Sequence, residues 1–320
     1  MANIHLLHEL RNKLSSVIVG QEELLERLVI AVLAGGHVLL EGPPGLAKTT
    51  IVHALATGLD ARFQRIQFTP DLMPGDLTGS DIYEAGNGSF RFIEGPLFNE
   101  ILLADEINRA PPKVQSALLE AMAEHQITVG GKTRQLPELF MVLATQNPLE
   151  QSGTYQLPEA QLDRFLFKII LDYPSLEEEI EISRRARKAN EGHVDEALTA
   201  ALKPHEILSL RKQLSDVFVE ETVERFAVEL VVATRNLAQH LPDWADMIQI
   251  GASPRASISL LRASMARAFL DGRDYVLPED VLALAADVLR HRLVLDFSAQ
   301  AEGISADDII AALLDVIKAP

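Results

Sequence analysis

Gly42–Pro43–Pro44–Gly45–Leu46–Ala47–Lys48–Thr49 has the residue types and spacing of a loop that binds a polyphosphate. Its glycines let the backbone wrap closely, so that N–H groups point inward at phosphate oxygens. A helix starting at the end of the loop adds partial positive charge. In such a loop Lys48 reaches the β- and γ-phosphates, the Thr49 hydroxyl ligates Mg²⁺, and Thr50 completes the contact set. The strict pattern has Gly before the Lys, where this chain has Ala47. Ala is small and a good helix former, and suits a backbone already entering the helix.

Ile101–Leu102–Leu103–Ala104–Asp105–Glu106 is an apolar run ending in two acids. A buried parallel strand of this kind delivers both carboxylates to the edge of a sheet where ligands bind. Asp105 is expected to hold Mg²⁺, mainly through water, and Glu106 to orient and polarise an attacking water. Phe140–Thr145 is a further apolar run, followed by Gln146–Asn147–Pro148. The Asn147 amide could enter the crevice beside Glu106 and hold both water and phosphate without adding charge. By itself, Asn-Pro is a turn signal.

Two arginines complete the candidate set. Arg164 follows Asp163 on a segment feeding the strand Phe167–Leu171. It reads either as half of a surface ion pair or as an arginine finger reaching a neighbouring subunit's γ-phosphate. In Gly251–Ala252–Ser253–Pro254–Arg255–Ala256, Ser253 is placed at an N-cap and Pro254 at the first helical position. Arg255 then projects from a helix N-terminus, where a cation is disfavoured unless an anion accompanies it. Val19 and Gly20 end a β-branched run that could wrap a base ring in apolar contacts. A plain join between two helices explains that run equally well.

These residues need elements to hold them. Apolar periodicity places helices over Leu6–Val17 and Glu22–Ala34, and strands at Val38–Leu40 and Arg62–Phe68. A short helix is expected to start with Thr69 as N-cap and Pro70 at the first helical position, interrupted by Pro74–Gly75. Hairpins are expected over Ile82–Phe92 and Gln126–Leu136, around their glycine pairs. After Asp172 only helical patterns remain: Leu176–Ala189, Leu202–Leu214, Glu221–Leu241, Ser253–Leu270, Pro278–Leu295 and Ala306–Ile317. The reading is an α/β nucleotide-binding core over residues 1–174, followed by an all-α lid over 175–320.

Composition narrows the function classes. The 320 residues are 48% hydrophobic and include no cysteine, so disulfides and thiolate metal sites are excluded. The N-terminal stretch lacks a signal-peptide layout, and the longest apolar stretch is too short to span a bilayer; a cytoplasmic location without membrane attachment is expected. A net charge of −17 opposes general adhesion to nucleic acid, which is not expected among the partners.

In this order, Gly42–Thr49, Ile101–Glu106, Asn147, Arg164 and Arg255 resemble the AAA+ ATPases. More narrowly, Gly-Pro-Pro-Gly-Leu-Ala-Lys-Thr, Ala-Asp-Glu-Ile-Asn-Arg-Ala and Gly-Ala-Ser-Pro-Arg-Ala resemble the MoxR family, whose members also carry Ala before the Lys. The resemblance implies an αβα sandwich with a five-stranded parallel sheet in the order 5-1-4-3-2, a helical lid and a homo-oligomeric ring, commonly a hexamer. It makes ATP and Mg²⁺ the ligands, Asn147 sensor 1, Arg164 the finger in trans and Arg255 sensor 2. It makes the hairpin at Ile82–Phe92 the helix-2 insertion and Gln126–Leu136 the hairpin before the sensor strand. It also implies chaperone-like work on a protein client, with a separate von Willebrand factor A domain protein as partner. The rival readings are a DNA-dependent helicase-like motor and an ATP-controlled scaffold with little turnover.

Overall fold

Apolar runs without a polar break must be covered on both faces, and three of them form the centre of one sheet. The computed structural model describes residues 4–320 apart from 44, 87, 148–152 and 191–198. Its sheet strands are β1 (Val38–Glu41), β2 (Phe63–Gln67), β3 (Ile101–Asp105), β4 (Met141–Gln146) and β5 (Phe167–Ile170). Across the sheet they run 5-1-4-3-2, the expected order. β1 pairs with β4, β4 with β3 and β3 with β2, each in parallel. The fully buried residues of β1, β3 and β4 form the centre of this core. β2, at the edge, is mostly polar and largely exposed.

The register aligns the strand ends that matter. Gln67 lies opposite Asp105, Ala104 opposite Ala144, and Leu40 opposite Thr145. Each of these strands runs into a loop at its C-terminal end, so the loops gather at one edge of the sheet. The helix Lys48–Gly58 follows β1 and packs against β2 and β3. Glu22–Ala34 is buried along almost its whole length, from Leu24 to Ala34 apart from Glu26.

Both hairpins form, with strands Gly79–Glu84 and Ser89–Glu94 in the first and Gln126–Val129 and Lys132–Gln135 in the second. Arg134 of the second stacks 3.7 Å above the Phe92 ring of the first. The expected helix start at Thr69–Pro70 is corrected: those residues lead into a turn, and the helix is Pro74–Thr78. Pro74 is its first residue, a position that needs no N–H, and Asp76 accepts the Met73 N–H at 2.8 Å.

Contacts divide the chain into two compact units, one of residues 5–157 with 169–209, the other containing 158–168 and 210–320. The sequence reading placed a single cut after residue 174; these units interleave along the chain. In the second unit the helices Glu221–Ala233, Pro254–Leu270, Pro278–Leu289 and Ala306–Val316 pack through Phe226, Leu230, Leu260, Leu284, Val288 and Leu313. Two expectations are corrected here. The helix expected to reach Leu241 stops at Ala233, where the Thr234 hydroxyl donates to the Val231 carbonyl at 2.7 Å and accepts the Ala252 N–H at 3.0 Å. Strands also occur beyond residue 172, since Ile248–Ile250 pairs antiparallel with Val294–Leu295, a ladder too short to leave a period in the sequence.

Candidate active site

A helix that begins without a side-chain cap leaves its first N–H groups to whatever occupies the space before it. The helix Lys48–Gly58 begins in this way, and a cleft of about 360 Å³ opens at its N-terminus. Gly45, Leu46, Ala47, Lys48 and Thr49 of the loop and helix start line the cleft together with Arg65, Asp105, Glu106, Thr145, Gln146 and Asn147 from the strand ends. All of them belong to one compact unit. The loop, both acids and the amide proposed from sequence therefore meet in one place.

The loop is built by close approach. A Cβ on Gly42 would stand 2.7 Å from the Leu171 carbonyl oxygen, just past β5, so only glycine fits there. Lys48 Nζ donates to the Gly42 carbonyl at 2.7 Å and closes the loop on itself. Ala47 corrects one argument made above: it has not entered the helix but sits in the left-handed region, at φ 52° and ψ 25°. That conformation is what the glycine of the strict pattern serves, and Ala tolerates it at modest cost. Pro43 is half-buried, Thr50 is exposed, and Pro44 lies outside the described residues.

At the strand ends one hydroxyl braces both acids. Thr145 Oγ1 donates to Asp105 Oδ1 at 2.7 Å and accepts the Glu106 N–H at 2.8 Å. Asp105 Oδ2 receives a fork from Arg65, at 2.6 Å from Nη2 and 3.1 Å from Nε. Glu106 also has left-handed backbone, with φ 57°. Its Oε2 accepts Gln67 Nε2 at 2.7 Å and lies 3.1 Å from Arg109 Nη1. Burial lowers the Lys48 ammonium below its usual range, while Asp105, Glu106 and Glu41 pull the other way.

The remaining candidates lie elsewhere. Gly20, with φ 71°, follows Val19 and is covered by Glu178, whose Oε1 would meet a Cβ at 2.2 Å; neither Val19 nor Gly20 lines the cleft. Arg164 and Arg255 belong to the second unit. Arg164 is half-buried, and its side chain makes no hydrogen bond or ion pair among the described residues. Ser253 caps the helix as expected, accepting the Arg255 N–H at 3.2 Å. The anion that Arg255 was argued to need is present in the protein, since Asp163 Oδ2 lies 3.7 Å from Arg255 Nη1. Sequence reasoning missed Arg65, Gln67, Arg109 and Thr145. Arg109 alone left a trace, three residues after Glu106; the others are brought in by strand register.

Residues 37–167 match the ATPase family associated with various cellular activities (AAA), and residues 244–313 match the AAA lid domain. Chaperone MoxR1 of Mycobacterium tuberculosis is 45% identical over 320 residues, covering 100% of this chain and 84% of that protein. The chain belongs to the MoxR family of AAA+ ATPases. Protein MoxR of Methylorubrum extorquens is 32% identical to this MoxR-family ATPase, over 96% of this chain and 93% of its own. A solved structure from Cytophaga hutchinsonii superposes on it with a TM-score of 0.92 at 46% identity, covering 99% of this chain and 96% of the other. Among the described residues no helix is long and apolar enough to cross a membrane.

Proposed function

We propose that this ATPase hydrolyses ATP in a Mg²⁺-dependent reaction, in a ring of identical subunits, to remodel a protein client. One observation carries the reading: Lys48, Thr49, Asp105, Glu106 and Asn147 line a single cleft at an uncapped helix N-terminus. Thr49 and Asp105 offer the hard oxygen donors that suit Mg²⁺. Both Asp105 oxygens already accept hydrogen bonds, which fits an ion held through its own waters. When bound, Mg²⁺ neutralises charge on the phosphate oxygens.

The chain's own residues do the rest. Lys48 exchanges the Gly42 carbonyl for phosphate oxygens, and the loop's N–H groups fix the phosphates in place. Glu106 orients and polarises the attacking water, and Asn147 holds that water against the γ-phosphate. The outer side of the γ-phosphate is left for a cation from elsewhere. Arg164, whose side chain has no partner among the described residues, supplies it from the neighbouring subunit and contributes about 10³-fold in rate. Arg255 reads phosphate as sensor 2, and Val19 and Gly20 meet the base.

The client-remodelling part draws on the name of the Mycobacterium relative, a chaperone. A cytoplasmic hexamer, a separate von Willebrand factor A domain partner and a division into a core over 1–174 and a lid over 175–320 belong to the same proposal. The test is ATP turnover by the wild type and by Arg164→Ala, alone and mixed with Lys48→Ala. Arg164→Ala is expected to bind ATP with unchanged affinity and to lose turnover about 10³-fold. Mixing it with Lys48→Ala restores part of that turnover; full activity in Arg164→Ala alone defeats the reading.

A further inference from the structure

The turn Arg290–His291–Arg292 closes the helix Pro278–Leu289 and grips the backbone on both sides of Arg164. Arg292 Nη2 donates to the carbonyls of Phe165 at 2.7 Å and Asp163 at 3.3 Å, and Nη1 donates to Leu166 at 3.3 Å. Its Nε donates to Asp163 Oδ1 at 2.8 Å. His291 Nε2 bonds the Phe165 carbonyl at 3.0 Å, and Arg290 Nη1 donates to the Lys168 carbonyl at 2.6 Å. Four carbonyls between residues 163 and 168 are thus held by three consecutive side chains, all within one compact unit. The Arg292 side chain is 2% exposed, and its guanidinium also reaches Ser259 Oγ and the Val288 carbonyl.

Burying His291 and Arg292, with Arg290 half-buried beside them, is a costly way to attach a segment that apolar packing could hold. What apolar packing does not give is direction. A planar guanidinium bonded to carbonyls at 163, 165 and 166 fixes the path of the chain through 164. We infer that the Arg290–His291–Arg292 turn is a positioning device for Arg164, setting the backbone from which that side chain projects towards the neighbouring subunit's phosphate. The inference rests on the reading of Arg164 as a finger in trans. It makes Arg292 a positioning residue that acts on a site to which it does not belong.

The experiment uses mixed assemblies of full-length subunits. Arg164→Ala subunits keep the phosphate loop and lack the finger, whereas Lys48→Ala subunits keep the finger and lack a working loop. Turnover regained on mixing comes from interfaces where the second kind serves the first. Arg292→Gln placed in the Lys48→Ala subunit is expected to lower the regained kcat at least tenfold, with KM for ATP unchanged within twofold. The same substitution in the Arg164→Ala subunit, which has no finger to aim, leaves it within twofold. Equal losses in both placements mean a merely structural role and overturn the proposal, as does no loss in either. Arg290→Gln is read in the same way if Arg292→Gln does not fold, and failure of both to fold counts against the proposal. If the parent mixture regains nothing, the finger reading itself fails, a result seen before any clamp variant is made.

Discussion

The Asp163 carboxylate is bonded to Arg292, with Oδ1 2.8 Å from Nε, in a pair whose side chains are 13% and 2% exposed. Its other oxygen accepts the Ser253 hydroxyl at 2.9 Å and faces Arg255. One carboxylate therefore joins the segment of Arg164, the cap of the Arg255 helix and the Arg290–Arg292 turn. Burial lowers the Arg292 pKa, and Asp163 is the partner that holds the charge in place. Asp163→Asn keeps the shape and removes that anion, leaving a buried cation with neutral partners, the carbonyls and the Ser259 hydroxyl. A loss of about 3 kcal/mol is expected, read as a lower denaturant midpoint of the helical transition.

Glu106 is held by Gln67 from β2 and Arg109 from the following turn. Under the proposed mechanism Glu106→Gln keeps ATP affinity and loses at least about 100-fold in kcat, since it cannot take up a proton. Gln67→Ala removes one brace and leaves the carboxylate in place, so kcat should change less than tenfold. Single-turnover hydrolysis with bound ATP measures both.

Lys48 is charged at some cost to the fold. Burial depresses its pKa below the usual 10.5, against the pull of Asp105, Glu106 and Glu41. A depressed lysine adds stability only above its unfolded pKa, and that contribution is lost as pH falls through the folded value. At neutral pH, Lys48→Met is therefore expected to melt no lower than the wild type without nucleotide. It should also fail to gain the rise in melting temperature that ATP gives the wild type. A lower midpoint in the absence of nucleotide would contradict this account.

His291 is buried, and burial drives its pKa well below 6.5, with Arg292, Lys168 and Arg290 adding to the effect against the Phe165 carbonyl bond. The folded protein keeps this ring neutral where the unfolded chain takes up a proton. Its contribution is complete above pH 6.5 and declines as pH falls, by up to about 1.4 kcal/mol per pH unit. His291→Gln retains an N–H donor for Phe165 and does not titrate. The stability gap between wild type and variant should shift in favour of the variant from pH 7 to pH 5, measured by denaturant unfolding at each pH.

Local pattern carried much of the site. Gly42–Thr49 and Ile101–Glu106 could be read because a strand, a turn and a helix start each leave a short-range mark, and the acids lie at the end of an apolar run. The glycine pairs marked both hairpins, and Ser253–Pro254 marked a helix start that the structure keeps. The ends of Glu221–Ala233 and Pro278–Leu289 were hidden, because helical spacing continues past points where Thr234 and the Arg290–Arg292 turn bond elsewhere.

From its sequence alone this protein has a glycine-bearing loop between a strand and a helix, two acids at a strand end, an amide after another strand and a helical C-terminal part. Those follow from neighbours within a few residues, whose propensities act before any packing. Tertiary structure decided how the groups are braced. Arg65 meets Asp105 across 40 residues, Thr145 meets it across another 40, and Asp163 meets Arg292 across 129. No local energy encodes such pairs. They form because parallel register and helix packing bring distant strands and turns together, and buried polar groups then need partners that only the folded chain supplies.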